Sequence, residues 1–248
     1  MSTKAIDFYD LACKEGVAWN PNTWKTRFTL NYKGLPYQTT WVEYPDVEAL
    51  YKKLGIPATA KKSDGSPFYT LPVIHDPNTG TIVSDSFQIA EYLDKTYPDT
   101  PRVIPPGTRA LQAAFVDAFW SKVINNLFKF MMPKAAWALS KSSEEYFRRT
   151  REKEIGITLE EMYPTGEKAE EVWKKAEADF AVIYGWLRED EFVMGDRASF
   201  ADFAIGGVLV VSRLLLGEES EEWKRILGWH NGRWARIAKS LEKYEKGV

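Results

Sequence analysis

Hydrophobic and polar positions change rhythm near residue 100. Before that point, short apolar runs alternate with isolated helical stretches. Ala5-Ile6-Asp7-Phe8-Tyr9-Asp10-Leu11 reads as a short strand. Asn20-Pro21 opens a predicted helix, since Asn is a strong N-cap and Pro suits the first helical position. Trp24 and Phe28 recur at helical spacing, and Gly34 and Pro36 mark the stop. Residues 37–44 are rich in β-branched and aromatic side chains, a second strand. Residues 55–66 are polar and interrupted by Pro and Gly, so a loop is expected there. Residues 71–76 and 80–83 form two short strands about the turn-rich Asp76-Pro77-Asn78-Thr79-Gly80. Residues 86–97 carry Ile89, Tyr92 and Leu93 at helical spacing and stop before Pro98. The order is strand, helix, strand, loop or helix, strand, strand, helix. That is βαβ followed by ββα, a small mixed sheet with helices packed on it.

Residues 99–107 hold three prolines and read as a linker. Beyond them the pattern is helical almost to the end. Runs cover 109–139, a charged stretch over 143–161 interrupted at Gly156, then 167–187, 200–216 and 222–244. Residues 200–216 are nearly all apolar, and a helix apolar on every side belongs in the interior. The expected class is α/β plus all-α, with domains at 1–98 and 108–248.

Composition narrows the function. Lys and Arg number 33 against 35 Asp and Glu, so no basic excess exists to hold a phosphate backbone, and nucleic acid is not expected as a partner. The first ten residues have no apolar run long enough for a signal peptide. No stretch approaches the roughly 20 apolar residues of a membrane helix. Cys13 is the one cysteine, which excludes an intrachain disulfide; with His75 and His230 far apart in sequence, no zinc site is expected. A cytoplasmic, metal-free protein follows. The 10 Trp, 12 Tyr and 13 Phe are enough to fill a core and still line a pocket for flat ligands.

Three local features bear on chemistry, and each has two readings. Leu71-Pro72 stands at the entrance to a strand. A cis bond there turns the Leu71 backbone outward, free to pair with an extended peptide; a trans bond makes it an ordinary edge proline. Asp85-Ser86 precedes a helix and either caps it or, through the Ser86 hydroxyl and the free N–H groups, receives a carboxylate. Asn20 either caps its own helix or donates its amide to a thiolate held at that helix's positive end, near Lys25 and Arg27 in sequence.

Taken together, Thr70-Leu71-Pro72-Val73-Ile74, Asp85-Ser86-Phe87-Gln88-Ile89-Ala90-Glu91-Tyr92-Leu93 and Tyr97-Pro98 resemble the glutathione-site signature of cytosolic glutathione transferases. Ser199-Phe200-Ala201-Asp202 after Gly195-Asp196-Arg197 is similar to the capping box of that family's buried second-domain helix. Within the family, residues 19–27, 147–152 and 159–161 resemble the etherase-related branch and, inside it, the fungal-specific FuA class.

The resemblance implies a thioredoxin-like N-terminal domain followed by a helical glutathione-transferase domain, a homodimer, and glutathione as co-substrate. It implies that Leu71, beside Pro72, pairs through its backbone with the cysteinyl part of glutathione. Asp85 and Ser86 hold the γ-glutamyl end. One departure stands out: Asn20 occupies the position of the family's usual activating serine, and Asn22 or Thr23 then become candidates to assist. Phe115 and Phe119, at i and i+4 on the first helix of the second domain, line the acceptor site or belong to the core. The implied function is conjugation of glutathione to hydrophobic, aromatic electrophiles. Two alternatives are a carrier of aromatic small molecules that binds glutathione, and a thiol-disulfide reductase acting through Cys13.

Overall fold

The computed structural model describes residues 3–62 and 64–246. Strands β1 (Ile6–Leu11), β2 (Tyr37–Val42), β5 (Val73–Asp76) and β6 (Thr81–Ser84) form one sheet in the order β2-β1-β5-β6. β1 and β2 run parallel, Ile6 opposite Tyr37, joined by helix α1 (Pro21–Lys33). β5 and β6 are antiparallel to their neighbours, Tyr9 facing Val73 and Val73 facing Ser84. β3 (Ala60–Lys61) and β4 (Pro67–Phe68) pair in a small hairpin of their own, within and just after the stretch expected to be loop.

Alternation along the strands decides the packing. Ile6, Phe8 and Ile74 point to one face and are fully buried with Leu30 of α1 and with Ile89 and Leu93 of helix α3 (Ser86–Thr96). Helix α2 (Val47–Leu54) packs Val47 and Tyr51 with Leu11, Val42 and Val73. α1 ends at Gly34, whose φ of 65° lets its N–H turn back to the Leu30 and Asn31 carbonyls; other residues pay for that conformation.

The remainder is helical: α4 (Arg109–Lys122), α5 (Ile124–Ala138), α6 (Lys141–Ile155), α7 (Leu159–Met162), α8 (Gly166–Leu187), α9 (Phe200–Leu216) and α10 (Glu221–Leu241). The single helical run expected over 109–139 is two helices that meet at Val123. α10 is broken at Trp229–Gly232, where His230 and Asn231 adopt left-handed backbone. α9 is buried along most of its length, as its composition requires. Its capping box is complete: the Ser199 N–H and hydroxyl donate to Asp202 Oδ2 at 2.9 and 2.8 Å, and the Val193 N–H donates to Oδ1 at 2.8 Å. Burial pushes the Asp202 carboxyl up to about 6 despite those bonds.

The proline-rich segment over 99–107 is pinned. The Asp94 carboxylate accepts the Val103 and Ile104 N–H groups and pairs with buried Lys33 at 2.8 Å. The Val103 carbonyl accepts the Phe200 N–H at 2.8 Å, so this crossing also starts α9.

α9 meets the sheet-bearing half through α1, and Gly207 makes that contact close. A Cβ at 207 would lie 2.8 Å from the Pro21 carbonyl oxygen and 3.2 Å from Trp24 Cβ. Among the described residues no helix is long and apolar enough to cross a membrane.

Candidate functional site

The N-terminus of α1 is set by its approach loop. Trp19 Nε1 donates to the Ala12 carbonyl at 3.1 Å and Trp24 Nε1 to the Ala18 carbonyl at 2.9 Å, which anchors the turn at Asn20. Asn20 Oδ1 then accepts the Asn22 and Thr23 N–H groups at 2.8 and 3.3 Å, a side-chain cap. The amide carbonyl is committed to its own helix, leaving Nδ2 as the end that can serve other partners. Thr23 is fully buried and donates its hydroxyl to the Asn20 carbonyl at 3.0 Å, so it turns away from solvent.

Asn20 and Asn22 open onto a cleft of about 130 Å³ between the sheet-bearing half and the helices. Its walls are Trp19 and Tyr44 on one side and Trp120, Phe128, Phe147 and Val211 on the other. Tyr44 follows β2 and stacks on Tyr146 at 6.0 Å while leaning on Phe147 at 5.6 Å and Trp19 at 6.1 Å. Its N–H donates to Ser143 Oγ at 2.9 Å, and the hydroxyls of Ser140 and Ser143 donate to Glu43, so the loop after β2 is fastened to α6. Burial pushes the Tyr44 phenol up to about 12; the Arg151 charge and hydrogen bonding from the Asn20 amide oppose it.

A second polar patch adjoins α1. The Leu71–Pro72 bond is cis. Among the described residues the Leu71 N–H and C=O have no hydrogen-bonding partner. The Pro72 carbonyl accepts the Asp85 N–H at 3.3 Å, which sets Leu71-Pro72 beside Asp85-Ser86. Asp85, at φ 75° and ψ 128°, caps α3 through Oδ1 with bonds of 2.9 and 3.1 Å to the Phe87 and Gln88 N–H groups. Such a backbone conformation is rare outside glycine and costs about 1–3 kcal/mol. Ser86 is buried beside it.

Lys25, one turn along α1 from Pro21, is 6% exposed, with its ammonium 5.1 Å from the Trp120 ring centre. Burial draws it down to about 8, opposed by the charge of Asp85. Trp120 Nε1 is also buried without a partner.

Two family models divide this chain between them. The glutathione S-transferase N-terminal domain matches residues 19–96, and the glutathione S-transferase C-terminal domain matches residues 110–244, more than half the chain. The chain belongs to the glutathione S-transferase family. The structure is similar to glutathione transferase GSTFuA3 of Phanerochaete chrysosporium, at 46% identity and a TM-score of 0.94 over 100% of both chains. It is also similar to CsGST83044 of Ceriporiopsis subvermispora, solved in complex with glutathione: 44% identity, TM-score 0.93, 97% of this chain and 99% of that one. A glutathione S-transferase-like protein, ustS, of Aspergillus flavus is 31% identical over 236 residues, covering 89% of this chain and 82% of that protein. The thioredoxin-like sheet domain followed by a helical transferase domain, and the likeness to the FuA class, therefore stand.

In this glutathione S-transferase, Leu71, Pro72, Asp85 and Ser86 form one patch, and Asn20 heads the adjoining cleft. Trp19, next to Asn20, shares a hydrophobic cluster with Leu71. Phe119 is fully buried against Phe115 and Phe180, and Phe115 leans on Trp186 at 6.0 Å; neither borders the cleft. Their helix contributes Trp120 instead. Cys13 directs its thiol to the Val17 carbonyl at 3.3 Å, outside the cleft lining. Among the described residues no group of three or more His, Cys, Asp or Glu side chains is placed to hold a metal. Sequence reasoning missed Tyr44 and Arg151. Phe147 and Arg151, four apart on a charged helix, were a readable signal for the second; Tyr44, counted in the second strand over 37–44, lies past the end of β2 at Val42 and carried none.

Proposed function

We propose that this protein is a glutathione transferase that stabilises the glutathione thiolate at the start of α1 and adds it to electrophilic aromatic compounds. The observation that carries the reading is the convergence of the Asn20 amide and the Tyr44 phenol on one aromatic-walled cleft at the positive end of a helix. Glutathione lies extended along the Leu71 backbone, with its γ-glutamyl end at Asp85 and Ser86 and the Lys25 charge close by. The thiol proton leaves to solvent. The sulfur forms a bond to the electrophilic carbon, and a halide or aryloxide departs with its electron pair. Lowering the thiol pKa raises the thiolate population at neutral pH, which is where the rate gain arises.

The test is calorimetric uptake of glutathione together with turnover on aryl halides, isothiocyanates and aryl ethers. No uptake, or no glutathione-dependent turnover on any of the three, refutes the reading. Asn20→Ser supplies the hydroxyl that is missing at this position while keeping a capping oxygen, and raises turnover. The family resemblance also supports a homodimer, which light scattering reads directly.

A second reading is a carrier that binds glutathione and flat aromatic molecules with little chemistry. The aromatic walls of the cleft and the lack of a hydroxyl at position 20 favour it. Strong thermal shifts with polyphenols, without turnover, decide for the carrier.

A further inference from the structure

Among the described residues bordering the cleft, Arg151 is the one with a charged side chain; no carboxylate faces it there. Its guanidinium lies 5.6 Å from the ring centre of Phe147, one turn earlier on α6, and its side chain is only 29% exposed. Its ion-pair partner is Glu154 at 3.1 Å, three residues on and 69% exposed. A pair of that kind in open water holds a guanidinium weakly, so it yields readily to a better-placed anion. The charge also reaches inward, since it favours the ionised form of the Tyr44 phenol beside Asn20.

A partly dehydrated guanidinium at the edge of an aromatic cleft has a definite preference. Its planar fork matches a carboxylate with two parallel hydrogen bonds, and the low-dielectric walls strengthen that attraction. A neutral aromatic ligand gains none of this and further dehydrates the cation. We propose that Arg151 is a specificity-determining residue that selects aromatic acceptors carrying an oxyanion, holding the anion at the α6 rim while the ring enters between Trp19 and Phe147 and presents its electrophilic carbon toward Asn20. This assignment rests on the transferase reading for its chemistry, but the anion preference itself is a binding property.

For 4-chloro-3-nitrobenzoate the chemistry balances without a further reagent. The thiolate sulfur bonds to the ring carbon bearing chlorine, and the nitro group takes up the electron density. The carbon–chlorine bond then breaks to release chloride, and the carboxylate stays on Arg151 throughout.

The experiment compares 4-chloro-3-nitrobenzoate with 4-chloro-3-nitrobenzamide, which differ chiefly in charge. Binding is read without glutathione, from quenching of the cleft tryptophans Trp19 and Trp120, in the wild type, R151Q and R151K. The wild type is expected to bind the acid at least about tenfold tighter than the amide, the span of one good charge-assisted contact. In R151Q the ratio falls to within twofold, with affinity for the amide kept, and R151K, which keeps the charge but loses the fork, falls between R151Q and the wild type. Equal affinities in the wild type, or a ratio unchanged in R151Q, overturn the proposal. So does an R151Q variant that loses affinity for glutathione alone, since the anion would then be a carboxylate of the tripeptide. A protein that prefers the acid yet turns over neither compound with glutathione, nor any other aryl halide, isothiocyanate or aryl ether, refutes the transferase reading and leaves this one standing.

Discussion

Replacing Gly207 by alanine tests how the helical half sets the geometry of the proposed thiol site. The added methyl would sit 2.8 Å from the Pro21 carbonyl oxygen and 3.2 Å from Trp24 Cβ, on the first turn of α1. Ordinary contact begins near 3.4 Å, so the two helices must part by roughly 0.6 Å at this point. Neither neighbour is the loose end of a side chain. Overpacking of this kind costs about 1–3 kcal/mol, and alanine's better helix propensity returns about 0.8–1 kcal/mol, leaving a net loss of about 0–2 kcal/mol. Function is affected as well, because Pro21 follows Asn20 directly. A 1 Å misplacement of a positioning group can cost about 100-fold in rate, so a shift of half that size should lower kcat/KM for glutathione about tenfold. Gly206→Ala is the matched control. Its methyl meets Leu241 Cδ1 at 2.6 Å and the Phe28 ring at 3.1 Å, both away from Asn20, and the leucine tip can swing aside. Urea unfolding reads the stability of each variant, and glutathione calorimetry with steady-state kinetics reads the site. If Gly207→Ala matches the wild type in glutathione affinity and kcat/KM, or if Gly206→Ala harms the site equally, the argument that α9 positions the start of α1 is wrong.

Tyr44→Phe should lower turnover about tenfold or more while changing glutathione affinity less than threefold, because the phenol lies beside Asn20, where the thiolate is proposed to sit; steady-state kinetics beside calorimetry separates the two. Lys25 holds its proton less tightly when folded, at about 8, than unfolded at 10.5, so folding stability rises with pH between those values and is level below them. Lys25→Met abolishes that rise and stabilises the protein at pH 7 by on the order of 2–3 kcal/mol, measurable by urea unfolding at pH 7 and pH 10. Asp202 shifts the other way for an acid, from 3.8 unfolded to about 6 folded, so its contribution declines as pH rises from about 4 to 6 and is level above. Asp202→Asn removes this decline yet unfolds more easily at pH 7, since an amide cannot accept from Ser199 and Val193 at both of its ends. A wild-type slope that survives either substitution contradicts the assignment.

Residues whose role is local were legible in the sequence. Asn20-Pro21 and Asp85 announced two helix starts because capping needs only the next three residues. Phe200–Leu216 could be placed in the interior because no face of it is polar. What depends on rotation about a helix or on distant partners was hidden. On α4, Phe115 and Phe119 share one stripe that packs inward, and the adjacent Trp120, about 100° further round, is the aromatic that borders the cleft. The break at Val123 lies inside a helical run with no Pro or Gly near it to mark a stop. The segment over 99–107 carried the composition of a free linker, but the Asp94 carboxylate and the Phe200 N–H tie it down across the fold. Tyr44 reaches Asn20 and Arg151 only once the loop after β2 is fastened to α6 through Glu43 and Ser143.

The contact between Gly207 and Pro21 also limits how this architecture can be recombined. The sheet-bearing half contains every group assigned to glutathione, yet the resting place of its first helix is dictated by a bare backbone position nearly two hundred residues downstream. A hybrid that joins this half to another transferase's helices inherits the ligand-holding atoms but not their alignment, unless the donor also leaves an empty spot opposite that proline. Exchange between lineages is therefore constrained at the seam between the halves, where a hydrogen atom in place of a methyl keeps the two registers compatible.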